Sequence, residues 1–144
     1  MASPLRLKIE QEHWIAMRRH VMEQAPLEAC GLLAGKGESV QAALAVRNAA
    51  NSSVRFRMDP QEQWQAFEWI EEQGLDLVGI FHSHPAGPET ASVTDIAEAA
   101  YDVVQVIWAQ ANGVWTARGF WIEAGQASEV ALQVLDGSYP QRGQ

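Results

Sequence analysis

The sequence predicts an α/β fold, a single domain in which helices flank a mixed β-sheet. Three observations carry that expectation. Two stretches with helical spacing of apolar residues, each closed by a breaker, alternate with short apolar or alternating runs. One of those runs, Leu75 to Phe81, is almost wholly apolar, as a strand covered on both faces must be. The dipeptide Asn112-Gly113 separates two further runs, where a tight antiparallel hairpin needs positive backbone angles. With 144 residues, 47% of them hydrophobic, the chain can bury one core and is too short for two ordinary domains.

The elements follow in order. Leu5, Leu7 and Ile9 alternate with polar residues and predict an entry strand. Trp14, Met17, Val21 and Met22 recur at helical spacing between Gln11 and Ala25, and Pro26 stops that helix because its ring cannot continue it. Glu28-Ala-Cys-Gly-Leu-Leu-Ala-Gly35 and the stretch from Val40 to Arg47 form a strand pair about Lys36-Gly37. Asp59-Pro60-Gln61-Glu62 opens a second helix: a capping Asp, Pro in the first turn, and a carboxylate placed to reach back to the cap. Trp64, Phe67 and Ile70 line one face of it until Gly74. The buried strand from Leu75 stops at His82-Ser83-His84-Pro85, a turn-rich loop runs to Ala91, and a short helix opens at Ser92. Val103 to Ala109 and Val114 to Ile122 pair across Asn112-Gly113, and Val130, Leu132 and Val134 mark a last strand. The folded domain is therefore expected over 1–135, with 136–144, rich in Gly, Pro and Gln, as a loose tail.

Composition narrows the function. Ten basic against eighteen acidic side chains give a net charge of -8, with no basic run to track phosphates or anionic lipid, so neither nucleic acid nor membrane is expected as a partner. The amino terminus has no apolar stretch of signal-peptide length, and Cys30, the single cysteine, excludes an internal disulfide and a Cys-rich metal cluster. A soluble cytoplasmic protein fits these features.

His82 and His84 lie two apart at a strand end, so their side chains share a face and Ser83 points the other way. Asp95 follows eleven residues after His84, just inside the helix that opens at Ser92, and the intervening loop is long enough to fold that turn over the strand end. Two imidazoles and one carboxylate suit zinc and leave a fourth tetrahedral position for water, the mark of a catalytic site. A His-x-His pair alone is weak, since four histidines in this length produce one by chance in about one case in twelve. Ser92-x-x-Asp95 alone reads as a helix capping box. Their conjunction at the end of a buried strand is harder to attribute to packing, because unpaired polar groups there are costly. The same donor set also suits non-haem iron. A nucleobase deaminase, which needs Pro-Cys-x-x-Cys, and a His-Glu-x-x-His protease are both excluded.

His82-Ser83-His84-Pro85, six residues, then Ser92-x-x-Asp95 resembles the signature of the JAMM (MPN+) metalloproteases, and Glu28 to Gly35 resembles the upstream glutamate motif of their prokaryotic members. The resemblance implies a compact MPN domain, related in layout to cytidine deaminases. It also implies one zinc ion on His82, His84 and Asp95 with water as fourth ligand, Glu28 as general base, and Ser92 as a donor to the oxyanion. Physically, zinc lowers the pKa of bound water from 15.7 to about 7, and Glu28 would pass that water's proton to the leaving amine. The family cleaves peptide or isopeptide bonds at the carboxy terminus of ubiquitin-like proteins, often after Gly-Gly. For a chain this compact the implied substrate is a ubiquitin-like or sulfur-carrier protein, its tail running between 54–58 and 86–91. A non-catalytic MPN scaffold is the alternative within the family, although such members typically lack the metal ligands. Cys30 is expected to pack as a small apolar group, Ser83 to bond the backbone, and Trp64, Trp69 and Trp108 to serve as core or interface anchors. The oligomeric state is left open, a homodimer included.

Overall fold

A computed structural model describes residues 3–136. Of the expected tail, 137–144 lie outside the described residues. Seven strands and three helices follow in the order β1 (Arg6–Glu10), α1 (Gln11–Gln24), β2 (Cys30–Lys36), β3 (Ser39–Val46), α2 (Pro60–Glu72), β4 (Asp76–His84), α3 (Val93–Ala97), β5 (Val104–Ala111), β6 (Val114–Glu123) and β7 (Gln126–Leu135). The mixed sheet and its flanking helices are those the sequence predicts. β1 runs parallel to β3 and β7, β4 runs parallel to β5, and the remaining pairs are antiparallel.

Pairing of β1 with β7, Arg6 to Glu10 against Ala131 to Leu135, closes the sheet into a barrel of order β1-β3-β2-β4-β5-β6-β7. No local pattern encodes a contact so distant in sequence. The β5–β6 hairpin turns at Asn112 and Gly113, both at positive φ (53° and 80°), as that dipeptide requires. Ala124 and Gly125 make the same excursion between β6 and β7.

The period of two divides the core. Leu33, Phe81, Val106 and Trp108 face α1, where Met17 and Val21 complete a cluster and the rings of Trp14 and Trp108 lie 4.6 Å apart. Their alternates Leu32, Ala34 and Ile80 face α2 and meet Ile70 and Met58. Gly31 makes room for this arrangement, since a Cβ there would lie 2.3 Å from the Phe81 ring.

Two local expectations change. β4 continues through His84 instead of stopping at Phe81, because Cys30 pairs with His82 on one side and β5 pairs as far as His84 on the other. At the start of α2, Asp59 accepts from the Glu62 amide (3.0 Å) as a cap should, but the Glu62 carboxylate does not return to the cap. It accepts instead from the Arg47 amide at 2.8 Å, and Asp59 N–H donates to Arg47 O at 2.8 Å. The end of β3 offers an unpaired amide within reach, and the helix start is thereby tied to the sheet.

Candidate active site

The extension of β4 builds the site. Ile80 faces α2, so His82 and His84, two and four residues on, emerge from that face at the strand end, both buried. Ser83 faces the opposite way, as expected. It is fully buried; its hydroxyl accepts from Ala29 N–H (2.8 Å) and its amide donates to Ala29 O (3.0 Å), clamping the residue after Glu28 to β4. Glu28 is 3% exposed and offers a ligand atom within 4.8 Å of those of His82 and His84.

Asp95 comes from α3. Ser92 Oγ accepts from Asp95 N–H at 3.0 Å and Asp95 Oδ2 accepts from Ser92 N–H at 2.8 Å, so the capping box is complete. The same carboxylate reaches His82 Nε2 (Oδ1, 3.2 Å) and His84 Nε2 (Oδ2, 3.1 Å), and the two Nε2 atoms lie 3.2 Å apart. The cap and the approach to both imidazoles are one arrangement in space.

These donors fit a small cation. Metal–ligand bonds of about 2.0–2.1 Å in a tetrahedron place donors about 3.3 Å from one another, close to the spacing here. His84 Nδ1 lies 2.7 Å from Pro88 O, a contact that places one proton on Nδ1 and turns Nε2 toward the cluster. The Phe56 ring stacks on His82 with centroids 4.6 Å apart. Among the described residues, four buried side-chain atoms lack a hydrogen-bond partner, His20 Nε2, Trp108 Nε1, Glu28 Oε1 and His82 Nδ1, and the last two belong to this cluster. A buried carboxylate oxygen left open beside three converged donors is the arrangement expected of a group that acts on something brought to the site.

Electrostatics follow from burial. Desolvation pushes the Glu28 carboxyl up to about 7, with the charge of His84 opposing and that of Asp95 adding. Desolvation also depresses His82, against the pull of Asp95, and favours its neutral form. Burial opposes protonation of His84, but the bonds to Asp95 and the Pro88 carbonyl outweigh it and raise its pKa. Burial would raise Asp95; the hydrogen bonds from His82 and His84 reverse that and hold it well below the usual carboxylate range.

Two hollows flank the cluster. One of about 220 Å³ is lined by Phe56, Met58, Ile80, His82, Asp95 and Tyr101, among others. The second, about 160 Å³, is lined by Glu28, Ser53, Val54, His84, Pro88 and Ser92, with Ala86 and Gly87. Of the expected walls, 54–58 line the first hollow and 86–88 the second, while 89–91 line neither; a bond between Thr116 and the Glu89 carboxylate ties that loop to β6.

Cys30 packs as expected: fully buried, its thiol donating to Val46 O at 3.4 Å and pushed by burial up to about 12. Trp108 is a core residue, whereas Trp64 is 61% exposed. Sequence reasoning missed Asn48, whose buried carboxamide lies behind Glu28, and the Pro88 carbonyl that orients His84. Asn48 resembles any turn asparagine in sequence, and a backbone carbonyl leaves no signal in residue types.

Residues 10–123 match the family model described as prokaryotic homologs of the JAB domain. The chain belongs to that family. As a JAB-domain protein it is 40% identical over 119 residues, 82% of this chain and 76% of the relative, to a probable TtuB-protein conjugate cleaving protease of Thermus thermophilus. It is 40% identical over 85 residues to a desampylase of Pyrococcus furiosus, a match covering 59% of this chain and 61% of that protein. In structure it is similar to a protein from Desulfitobacterium hafniense solved in solution, with a TM-score of 0.82, 26% identity, and 96% and 99% of the two chains covered. The family identified from the histidine and glutamate motifs is thus borne out.

Proposed function

We propose that this JAB-domain protein is a zinc metallopeptidase that hydrolyses the peptide or isopeptide bond after the carboxy-terminal Gly-Gly of a ubiquitin-like or sulfur-carrier protein. His82, His84 and Asp95 would hold one zinc ion, with Glu28 as general base and Ser92 as oxyanion donor. One observation carries the reading: two imidazole Nε2 atoms 3.2 Å apart, each 3.1–3.2 Å from an oxygen of the Asp95 carboxylate, beside Glu28 Oε1, which is buried without a hydrogen-bond partner. The Thermus relative, a probable TtuB-protein conjugate cleaving protease, and the Pyrococcus desampylase point to the substrate class. A non-catalytic scaffold would have no use for this set of buried polar groups, which cost stability.

Held by His82, His84 and Asp95, such an ion would supply Lewis acidity, to polarise the substrate carbonyl and to lower the pKa of water toward about 7. The chain's own groups do the rest. Glu28, raised to about 7, is matched to taking a proton at neutral pH and returning it to the leaving amine. Ser92 Oγ spends a lone pair on the Asp95 amide, which leaves its hydrogen to donate to the carbonyl oxygen as charge develops there. Because Glu28 gives the proton back, the leaving amine departs on its side, through the hollow lined by Glu28 and His84. The acyl tail then occupies the hollow lined by His82, Asp95 and Phe56. Arg55 O and Arg57 N–H turn toward Asn48, so the backbone of Phe56 between them faces the other way, an edge for an extended tail. Two glycines let that tail pass close to the cluster.

No helix among the described residues is long and apolar enough to cross a membrane, and a single buried cysteine suits the reducing cytoplasm. We take 1–135 as the catalytic domain. The test is to incubate the zinc-loaded protein with sulfur-carrier and ubiquitin-like proteins extended beyond Gly-Gly and weigh the products. Cleavage after the second glycine, slowed about 10²–10⁴-fold by Glu28→Gln with zinc retained, is the expected result. Zinc-loaded protein that cuts none of them sinks the substrate class, and iron in protein purified without added metal sinks the peptidase.

A further inference from the structure

Asn48 lies just beyond the end of β3, 9% exposed, and all the hydrogen-bonding capacity of its carboxamide is used. Nδ2 donates to Glu28 O at 3.0 Å and to Arg55 O at 3.1 Å. Oδ1 accepts from Ala50 N–H at 2.9 Å and from Arg57 N–H at 3.0 Å. An amide has two donor hydrogens and two acceptor lone pairs, and here none is left over.

The four partners belong to two parts of the cleft. Glu28 carries the carboxyl proposed as base. Arg55 and Arg57 bracket Phe56, whose ring stacks on His82 and lines the hollow assigned to the acyl tail. The segment between them has only one bridge of sheet pairing, Asn48 to Met58, together with Ala49 N–H to Arg57 O at 2.7 Å. Glu28 N–H is held by Ser52 O of the same loop at 2.8 Å. The carboxamide of Asn48 is therefore the side chain through which the backbone of Glu28 and the wall at 55–57 share one reference point. Asp has the shape but no donors, and Ser has one donor where two are used.

We propose that Asn48 is a positioning residue for the reaction. Its saturated carboxamide sets the distance between the base and the wall along which the acyl tail lies. The inference rests on Glu28 acting as the base, and its role is distinct from simple loop anchoring in one respect. An anchor affects the fold and the metal. A positioning residue affects turnover through Glu28 and substrate binding through Phe56, and leaves the ligands alone.

The experiment is Asn48→Ala, measured for zinc content and for kcat and KM on a ubiquitin-like protein extended beyond Gly-Gly, alone and combined with Glu28→Gln. In the parent, kcat is expected to fall about ten- to a hundred-fold, the scale of a displacement of about 1 Å in a reacting group, with KM raised and zinc still bound. In the Glu28→Gln background the further loss of kcat should shrink to within about two-fold while the rise in KM persists, since effects that pass through one group do not multiply. Unchanged kcat and KM in Asn48→Ala, loss of zinc, or an equal kcat loss in both backgrounds would each overturn the proposal. Asn48→Ser, which keeps one donor, is judged by the same criteria if the alanine variant fails to fold, and failure of both to fold assigns Asn48 a purely structural role. Full turnover by Glu28→Gln alone overturns the assignment of the base, a separate outcome.

Discussion

Glu28→Gln should stabilise the metal-free protein at alkaline pH while it lowers turnover about 10²–10⁴-fold. Burial raises this carboxyl from an ordinary 4.5 to about 7. The folded state thus holds its proton where the unfolded chain has released it. For a raised carboxyl, the favourable contribution is complete below about pH 4.5 and is lost as pH rises through about 7. For a group only 3% exposed, the rise from 4.5 to about 7 corresponds to about 3 kcal/mol at 1.36 kcal/mol per pH unit. Glutamine carries no charge at any pH and escapes that penalty. Urea unfolding of chelator-treated protein, followed by tryptophan fluorescence at pH 5 and pH 8.5, should show the glutamine variant gaining on the parent by about 2–3 kcal/mol between the two. A gap between parent and variant that does not move with pH, or that moves the other way, refutes the desolvation argument and with it the poising of Glu28 near neutrality.

Other substitutions separate the roles of neighbouring groups. His84→Ala should abolish zinc binding, checked by metal analysis after dialysis, because two donors no longer close the triangle with Asp95. Ser92→Gly should cost only a few tenths of a kcal/mol, since glycine is a tolerable cap, yet lower kcat by about 10²-fold if the hydroxyl serves the oxyanion; equal kcat would leave Ser92 as a cap alone. Ser83→Ala strips the acceptor from the buried Ala29 amide and should destabilise the fold by about 1–3 kcal/mol in denaturant titration.

Much of this was legible in the sequence because periodicity is local. A strand repeats every two residues, so His82 and His84 had to share a face, and Ser83 had to oppose them. Asn112-Gly113 and Asp59-Pro60 carry their backbone geometry in their own chemistry. Glu28 is different: it lies 54 residues from His82 in sequence, and β2–β4 pairing alone brings them together, so its part was visible only through the family resemblance. Barrel closure by β1 and β7 was hidden for the same reason. Glu62 misled because its spacing fits a capping box, whereas the choice between cap and Arg47 amide is settled by a neighbour no window of sequence contains. Asn48 shows the reverse case, a residue ordinary in sequence and saturated in space.

The double duty of Asp95 reaches beyond the cluster. α3 has five residues, too few to persist as an isolated helix, and its first turn is anchored through the same carboxylate that touches both imidazoles. With Asp95 as the proposed metal ligand, winding of that turn and capture of the ion belong to one equilibrium: whatever competes for the carboxylate frays the turn, and whatever secures it winds the turn tight. Amide exchange at Ile96 and Glu98, whose hydrogens close that turn onto Ser92 and Thr94, becomes a gauge of cation occupancy that can be read without any substrate.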